Sequence, residues 1–205
     1  MTAARIIVWR HGETAWNAEG RYQGQADVDL NARGVSQAVA AAPRIAALRP
    51  DRIVSSDLSR AATTAQQLAR HTGLTVELEP RLREINVGDW AGMTNAEVFA
   101  AHPDFAQALA EGRDARRSAT GETGAEAGSR VAEALLDIAE SSPDGSTVVT
   151  VSHGFALRVA TVFLLGLDYA HNLTLGGLWN ASWSVLQPSG PNWRLLSYNN
   201  VADGV

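Results

Sequence analysis

Short apolar segments rich in valine and isoleucine alternate with longer segments that carry apolar residues at helical spacing. The short segments are apolar throughout rather than at every second position, which is typical of strands buried on both faces of a sheet. The pattern predicts four such strands, at residues 6–9, 52–55, 74–78 and 147–151.

The amphipathic segments between these strands predict helices with recognisable ends. We expect a helix over 32–48 with Asn31 as its N-cap, and one from Asp57 or Ser56 to about residue 71, closed by Gly73. Two more are predicted, from Thr123 or the preceding Gly-Glu pair to about 141, and over 155–165. Strands that alternate with helices indicate parallel strand pairing.

The C-terminal part predicts a β-hairpin, with strands at 181–187 and 193–198 around Pro188-Ser189-Gly190-Pro191. Residues 81–117 are less regular and predict loops with short helices. The expected fold is a three-layer α/β/α sandwich, with a mostly parallel sheet and an antiparallel edge. We expect one domain over 1–205 with an irregular, partly helical insertion at about 86–121. Ligands of such sheets bind beyond the carboxyl ends of the strands.

Composition and charge limit the partners and the cellular compartment that we expect for the protein. The net charge of −5 argues against a nucleic-acid partner, which favours a basic surface. The absence of cysteine excludes disulfides and cysteine nucleophiles, and it is compatible with the cytoplasm, where we expect the protein to act. No signal-peptide pattern and no apolar run near the roughly 20 residues of a membrane span occur, so no membrane partner is expected. The oligomeric state stays open, a homodimer included.

Two predicted strands end in histidine followed by glycine, in Arg10-His11-Gly12 and Ser152-His153-Gly154. A single histidine there would most often be an ordinary buried residue. Two at matching ends of a parallel sheet, with Arg10 beside the first, favour a site for an anion. Glycine lets the backbone turn sharply and approach a ligand closely.

A third strand end supplies Arg60 in the first turn of the next helix. Arg10 and Arg60 could hold phosphate oxygens by bidentate contacts, whereas the alternative is that Arg60 faces solvent. His11 suits a nucleophile, since histidine with its ordinary pKa of about 6.5 has a free ring nitrogen near neutrality. A leaving alkoxide needs a proton, and Glu84, next to a phosphate dianion that favours the protonated carboxyl, is the candidate donor.

Four motifs resemble those of the histidine phosphatase superfamily, whose other branch comprises the cofactor-dependent phosphoglycerate mutases. The motifs are Arg10-His11-Gly12-Glu13-Thr14-Ala15-Trp16-Asn17, Ser55-Ser56-Asp57-Leu58-Ser59-Arg60-Ala61, Leu82-Arg83-Glu84-Ile85 and Ser152-His153-Gly154. The resemblance implies a phosphoglycerate mutase-like fold, a phosphohistidine on His11, and no metal or other cofactor. It also implies that Glu84 is proton donor and then base, and that Arg10, Arg60 and His153 bind phosphate. Further expected contacts to phosphate or substrate come from Asn17, Gln23, Gly24 and Gly154.

Within the family, the sequence favours a phosphatase acting on a small phosphorylated metabolite. Phe155 stands where the mutases carry asparagine, no Pro-rich basic insertion follows Glu84, and residues 82–92 resemble the phosphatase pattern. Thr120-Gly121-Glu122-Thr123 departs from the Gly-Gly-Glu-Ser run common in phosphatases. A mutase is the alternative, and an inactive phospholigand-binding protein is another. Glu84 argues against the second, because a binding protein needs no proton donor.

Residues 176–183, 193–195 and 87–90 are similar to actinobacterial glucosyl-3-phosphoglycerate phosphatases. The similarity implies a phosphoglycerate-type ester as substrate, against the alternative of broad specificity. Arg21, or the group Arg113, Arg116 and Arg117, could bind the glycerate carboxylate, although this group could also be a solvated helix face. Trp16, Gln23 and Trp90 are the candidates for contact with a glucosyl ring.

Overall fold

A computed structural model of the protein describes residues 2–202, so Met1 and 203–205 of the predicted domain lie outside it. The strands are β1 (Arg5–Arg10), β2 (Arg52–Ser55), β3 (Val76–Leu78), β4 (Thr147–Ser152), β5 (Trp183–Ser189) and β6 (Asn192–Asn200). The helices are α1 (Ala15–Ala18), α2 (Ala32–Ala46), α3 (Ser59–Thr72), α4 (Asn95–Ala101), α5 (Pro103–Ala110), α6 (Gly124–Glu140) and α7 (Gly154–Leu164). Short 3-10 turns lie at Pro80–Leu82, Gly88–Trp90 and Tyr169–Thr174.

The strands form one six-stranded sheet in the order β3-β2-β4-β1-β5-β6. The pairs among β3, β2, β4 and β1 are parallel, and β5 and β6 add an antiparallel edge beside β1. The expected mostly parallel sheet with an antiparallel edge is therefore confirmed. Parallel pairing brings the carboxyl ends of β2, β4 and β1 to one edge of the sheet.

Helices cover both faces of the sheet. One apolar cluster joins α2 and α3 to one face through residues such as Ala42, Leu68 and Val149. A second joins α6 and α7 to the other face through residues such as Leu135 and Leu157. The three-layer α/β/α arrangement is thus confirmed. Among the described residues, no helix is long and apolar enough to cross a membrane.

The predicted insertion contains α4, α5 and the turn Gly88–Trp90. Trp90 and Phe105 pack edge to face, with ring centres 4.6 Å apart, in a third apolar cluster that also includes Val87 and Val98. This small core also includes Ile85 and Ala127 from outside the insertion, so it joins the insertion to the rest of the domain. Phe105 belongs both to this core and to the wall of the site described below.

Strand β3 and the C-terminal hairpin differ most from the sequence-based prediction. Strand β3 begins at Val76 rather than at residue 74, because its first partner on β2, Ile53, lies opposite Val76. The hairpin strands continue to Ser189 and Asn192, which pair with each other, so the loop shrinks to Gly190 and Pro191. Gly190 has a φ of +63°, a conformation that glycine adopts without strain.

The predicted N-cap of α3 is wrong. Neither Asp57 nor Ser56 is the N-cap residue, which is Leu58, and Leu58 makes no side-chain capping bond. Asp27 instead accepts hydrogen bonds from the backbone N–H and the hydroxyl of Ser59, at 2.8 and 2.7 Å. Asp57 forms an ion pair with Arg83. A carboxylate from a distant loop thus takes over the capping role.

The loop after β1 is held in place by two glycines in contact. A β-carbon on Gly12 would lie 2.2 Å from the Gly34 carbonyl oxygen, and one on Gly34 would lie 2.0 Å from the Glu13 carbonyl oxygen. The first turn of α2 therefore packs directly on the backbone next to His11. No larger residue fits at either position without moving main chain.

We predict that Gly34→Ala destabilises the protein by about 1–3 kcal/mol, the usual cost of overpacking. Helix propensity alone predicts the opposite sign, a gain of up to about 1 kcal/mol. Urea unfolding followed by circular dichroism measures the change. Gly176→Ala is the control, because no atom lies within 4 Å of the added methyl group. A Gly34→Ala variant as stable as the Gly176→Ala variant would contradict the assigned contact.

Candidate active site

Two histidines meet at the carboxyl edge of the sheet. Arg10 at the end of β1 lies opposite Ser152 at the end of β4, so the next residues, His11 and His153, are neighbours. Their ring centres are 5.1 Å apart. Both side chains are buried, at 3% and 0% exposure. The structure thus brings together the two His-Gly motifs, as the sequence predicts.

His11 is held in one tautomer by its own loop. Its Nδ1 lies 2.6 Å from the Gly12 carbonyl oxygen, and a carbonyl only accepts hydrogen bonds, so Nδ1 carries the proton. The lone pair of the neutral ring is therefore on Nε2. Burial lowers the pKa of His11 well below its ordinary value, and the charges of Arg60 and Arg10 lower it further. The ring is neutral at pH 7, as a nucleophile must be.

His153 lies between Arg60 and Ser56. Its Nδ1 accepts a hydrogen bond from Arg60 Nε at 3.2 Å, which leaves the proton on Nε2, 2.9 Å from the Ser56 hydroxyl oxygen. Burial lowers its pKa well below the ordinary value, and the positive charge of Arg60 adds to this. The second histidine is neutral and positions the arginine.

Arg60 is 1% exposed, so the alternative that it faces solvent is wrong. Its two terminal nitrogens donate to the carbonyls of Ala26 and Gly24 at 2.7 and 2.8 Å. Burial lowers its pKa to about 10, which still leaves it charged at pH 7. The sequence-predicted Gly24 therefore contributes a backbone carbonyl that orients this guanidinium.

Arg10 lies on the other side of His11, against the start of α7. It donates to the Leu178 carbonyl at 2.5 Å, and its Nε is buried without a hydrogen-bond partner. A β-carbon on Gly154 would lie 3.0 Å from that Nε, so the glycine leaves the space that the guanidinium occupies. An unpartnered N–H on a buried cation is suited to an incoming anion.

The carboxylate of Glu84 caps helix α7. Its oxygens accept hydrogen bonds from the backbone N–H groups of Phe155 and Ala156, at 3.1 and 2.8 Å. Arg130 on α6 holds the backbone of the same segment, donating to the carbonyls of Arg83 and Glu84 at 2.9 and 3.2 Å. Glu84 is therefore fixed from both its side chain and its main chain.

Asn17 and Gln23 present amide groups beside these residues. The Asn17 Oδ1 accepts from the Thr14 N–H at 3.2 Å and from Asn180 Nδ2 at 3.1 Å. The Gln23 Oε1 lies 3.0 Å from the Thr14 hydroxyl. With their oxygens occupied, both amides have N–H groups left to donate to a ligand.

A cavity of about 400 Å³ opens in front of this group. Eight of its lining residues come from the predicted site or directly beside it: Arg10, His11, Asn17, Gln23, Gly24, Arg60, Glu84 and Phe155. The outer wall consists of Arg21, Tyr22, Ile85, Val87, Phe105, Leu109, Gly112, Arg113, Arg117, Arg158, Tyr169, Asn172 and Leu173. His153 and Gly154 are not part of the lining, but His153 accepts a hydrogen bond from Arg60 and Gly154 lies against Arg10.

The structure corrects several expectations about the outer wall. Trp16 and Trp90 are not part of it, and Trp90 is buried in the core of the insertion. Arg113 and Arg117 line the cavity, whereas Arg116 does not and pairs with Glu126 on α6. Within residues 2–202, no group of three or more acidic or histidine side chains could hold a metal ion.

Sequence reasoning missed four residues that shape the site. Ser56 contacts His153, Asn180 orients Asn17, and Arg130 holds the Glu84 segment. Arg158 lines the cavity from α7. Arg158 alone had a local signal, since it is the only charged residue in the otherwise mostly apolar helix Gly154–Leu164. The others act through contacts between distant segments.

Known proteins share this architecture. A glucosyl-3-phosphoglycerate phosphatase of Mycobacterium tuberculosis is 39% identical over 218 residues, covering 98% of this chain and 97% of the relative. One of the same name from Mycolicibacterium vanbaalenii is 42% identical over 194 residues, covering 91% and 85%. The structure of a mycobacterial glucosyl-3-phosphoglycerate phosphatase in complex with VO3 is 38% identical, with a TM-score of 0.88 and coverage of 96% of this chain and 98% of that one.

The sequence pattern that defines the histidine phosphatase superfamily (branch 1) matches residues 6–201, which include every residue of the site described above. The identity to the M. tuberculosis relative extends over almost the full length of both chains. The chain therefore belongs to the histidine phosphatase superfamily and is a phosphoric monoester hydrolase.

Proposed function

We propose that the protein hydrolyses a phosphate monoester through a phosphohistidine formed on His11. The observation that carries this proposal is the state of His11: a buried, neutral imidazole with a free Nε2, in the lining of a cavity that also includes Arg10, Arg60 and Glu84. A nucleophile, two cations and an acid-base group thus share one cavity, as phosphoryl transfer requires.

In the first step, His11 Nε2 attacks phosphorus, the N–P bond forms and the bond from phosphorus to the ester oxygen breaks. Protonated Glu84 gives its proton to that oxygen, so the alcohol leaves neutral. Arg10 and Arg60 stabilise the charge on the transferring phosphoryl group, and the amides of Asn17 and Gln23 donate to its oxygens.

In the second step, the Glu84 carboxylate takes a proton from water while the water oxygen attacks phosphorus. The N–P bond breaks, phosphate leaves, and Glu84 is again protonated. Every group in this cycle belongs to the chain, so we propose that no metal takes part. A mutase would share the first step but return the phosphoryl group to a metabolite rather than to water.

We further propose that the substrate is glucosyl-3-phosphoglycerate and that the protein acts in the cytoplasm. The names of the relatives and a cavity large enough for more than a phosphate support the substrate. The lining includes the aromatic residues Tyr22 and Phe105 and the amide of Gln23, which are residue types that contact sugars. The complete absence of cysteine supports the compartment.

We predict that kcat/KM for glucosyl-3-phosphoglycerate exceeds that for 3-phosphoglycerate and for a simple sugar phosphate by at least about 10-fold, or about 1.4 kcal/mol of transition-state binding. Phosphate release with each ester measures the ratio, with a chelator present throughout. Comparable kcat/KM values for all three esters would contradict the proposed substrate and indicate a phosphatase of broad specificity. Transfer of phosphate to a glycerate acceptor instead of water would identify a mutase.

We predict that Glu84→Gln slows alkyl phosphates about 100-fold or more, but slows p-nitrophenyl phosphate much less. The nitrophenolate leaves without protonation, so it does not need the donor. The matched variant is Arg60→Ala, which removes a cation that both kinds of ester require and so slows both. Steady-state kinetics on the two esters measure the ratios. Equal losses for Glu84→Gln on both would contradict its role as proton donor.

A further inference from the structure

The cavity carries more positive charge than a phosphate group balances. Six arginines line it, at positions 10, 21, 60, 113, 117 and 158, and Glu84 is the one acidic residue in the lining. The dianionic phosphate matches the charges of Arg10 and Arg60. A second anionic group of the substrate is expected only if one of the remaining four arginines has no acidic partner in the protein.

Three of these four already have a carboxylate partner outside the cavity. Arg21 pairs with Glu19 at 2.6 Å, Arg113 with Glu111 at 2.6 Å, and Arg117 with Asp114 at 3.2 Å. These pairs neutralise the residues that the sequence offered as carboxylate ligands. A substrate anion would have to compete with an existing ion pair at each of them.

Arg158 differs, because none of the described acidic residues pairs with it. Its Nε is buried without a hydrogen-bond partner, and one terminal nitrogen lies 3.5 Å from Asn172 Oδ1, a long and weak contact. The Asn172 amide is itself anchored to the Tyr169 carbonyl at 2.8 Å. A partly buried cation with an unpaired donor favours an anionic ligand.

Arg158 lies close to Glu84 along helix α7. Phe155, whose N–H binds the Glu84 carboxylate at 3.1 Å, lies one helical turn before Arg158 on α7. The Arg158 guanidinium carbon is 5.4 Å from the centre of the Phe155 ring. Glu84 and Arg158 thus line the same cavity, and Phe155 contacts both, Glu84 through its N–H and Arg158 through its ring.

From these contacts we infer that Arg158 binds a carboxylate in the leaving group of the substrate and determines specificity for such esters. This inference rests on the proposed function and deepens it. In a 3-phosphoglycerate ester, two carbon atoms separate the ester oxygen from the carboxylate carbon, a spacing compatible with a phosphate at Arg10 and Arg60 and a carboxylate at Arg158.

The test compares two esters that differ in the carboxylate, 3-phosphoglycerate and glycerol 3-phosphate. Arg158→Met should lower kcat/KM for 3-phosphoglycerate by about 10- to 100-fold, mainly through KM, because a charge-assisted hydrogen bond is lost in the ground state as well. Its activity on glycerol 3-phosphate and p-nitrophenyl phosphate should stay within about twofold of wild type, which also shows that it folds. Arg158→Lys, which keeps the charge, should recover part of the selectivity.

Arg194→Met on β6, away from the cavity, is the control for loss of an arginine and should change neither ester. Equal effects of Arg158→Met on both esters would overturn the inference, as would selectivity lost in Arg113→Met or Arg117→Met instead. Calorimetric binding of 3-phosphoglycerate and glycerol 3-phosphate to the same variants gives a readout that needs no turnover. Absence of phosphate release from any ester by wild type would contradict the proposed function, whereas turnover with unchanged selectivity in Arg158→Met would contradict only this inference.

Discussion

The buried guanidinium of Arg60 joins three segments that are far apart in the sequence. It lies on α3, donates to the loop carbonyls of Gly24 and Ala26, and donates to His153 after β4. Moving a cation out of water is costly, and these three acceptors offset the cost only in part, as the lowered pKa of Arg60 indicates. An arriving phosphate would supply the missing counter-charge. The site itself therefore carries uncompensated positive charge, which a bound phosphate would neutralise.

The same burial explains why both histidines are neutral. Burial lowers the pKa of both histidines, and the charges of Arg60 and Arg10 lower it further, because a protonated ring would be a third positive charge beside them. No separate base is then needed to free the nucleophile. The parallel sheet makes this arrangement possible, because β1 and β4 end side by side and deliver their histidines to one point.

The chain order of the elements and the central site follow from local sequence patterns. Apolar runs identify the strands, and a histidine after each of two strand ends must lie at one edge of a parallel sheet. Contacts between distant segments could not be predicted in this way. Asp27 caps α3 from 32 residues away, and Arg130 reaches from α6 to the Glu84 segment. Trp90 packs into a hydrophobic cluster rather than lining the cavity, and that cluster joins the insertion to residues outside it such as Ala127 on α6.

Ion pairing explains why the arginines that the sequence suggested as ligands of the substrate carboxylate differ from the one that the structure favours. The sequence shows Arg113, Arg116 and Arg117 as a cluster of charge, but each has an acidic partner in the fold, at Glu111, Glu126 and Asp114. Arg158 stands alone in an apolar helix, and the fold leaves it without such a partner among the described residues. An arginine is most available to an anionic ligand where no acidic side chain of the protein already pairs with it.

The most direct test of the central claim is the chemical identity of the phosphoenzyme. Wild-type turnover is quenched in alkali, which preserves phosphohistidine, and the modified peptide is examined by mass spectrometry and phosphorus NMR. We expect one acid-labile phosphoryl group on His11, attached through Nε2, because Nδ1 donates to the Gly12 carbonyl. Its absence from His11→Ala, which should not turn over, is the control. Phosphate on Nδ1 or on another residue, or sustained turnover by His11→Ala, would contradict the account.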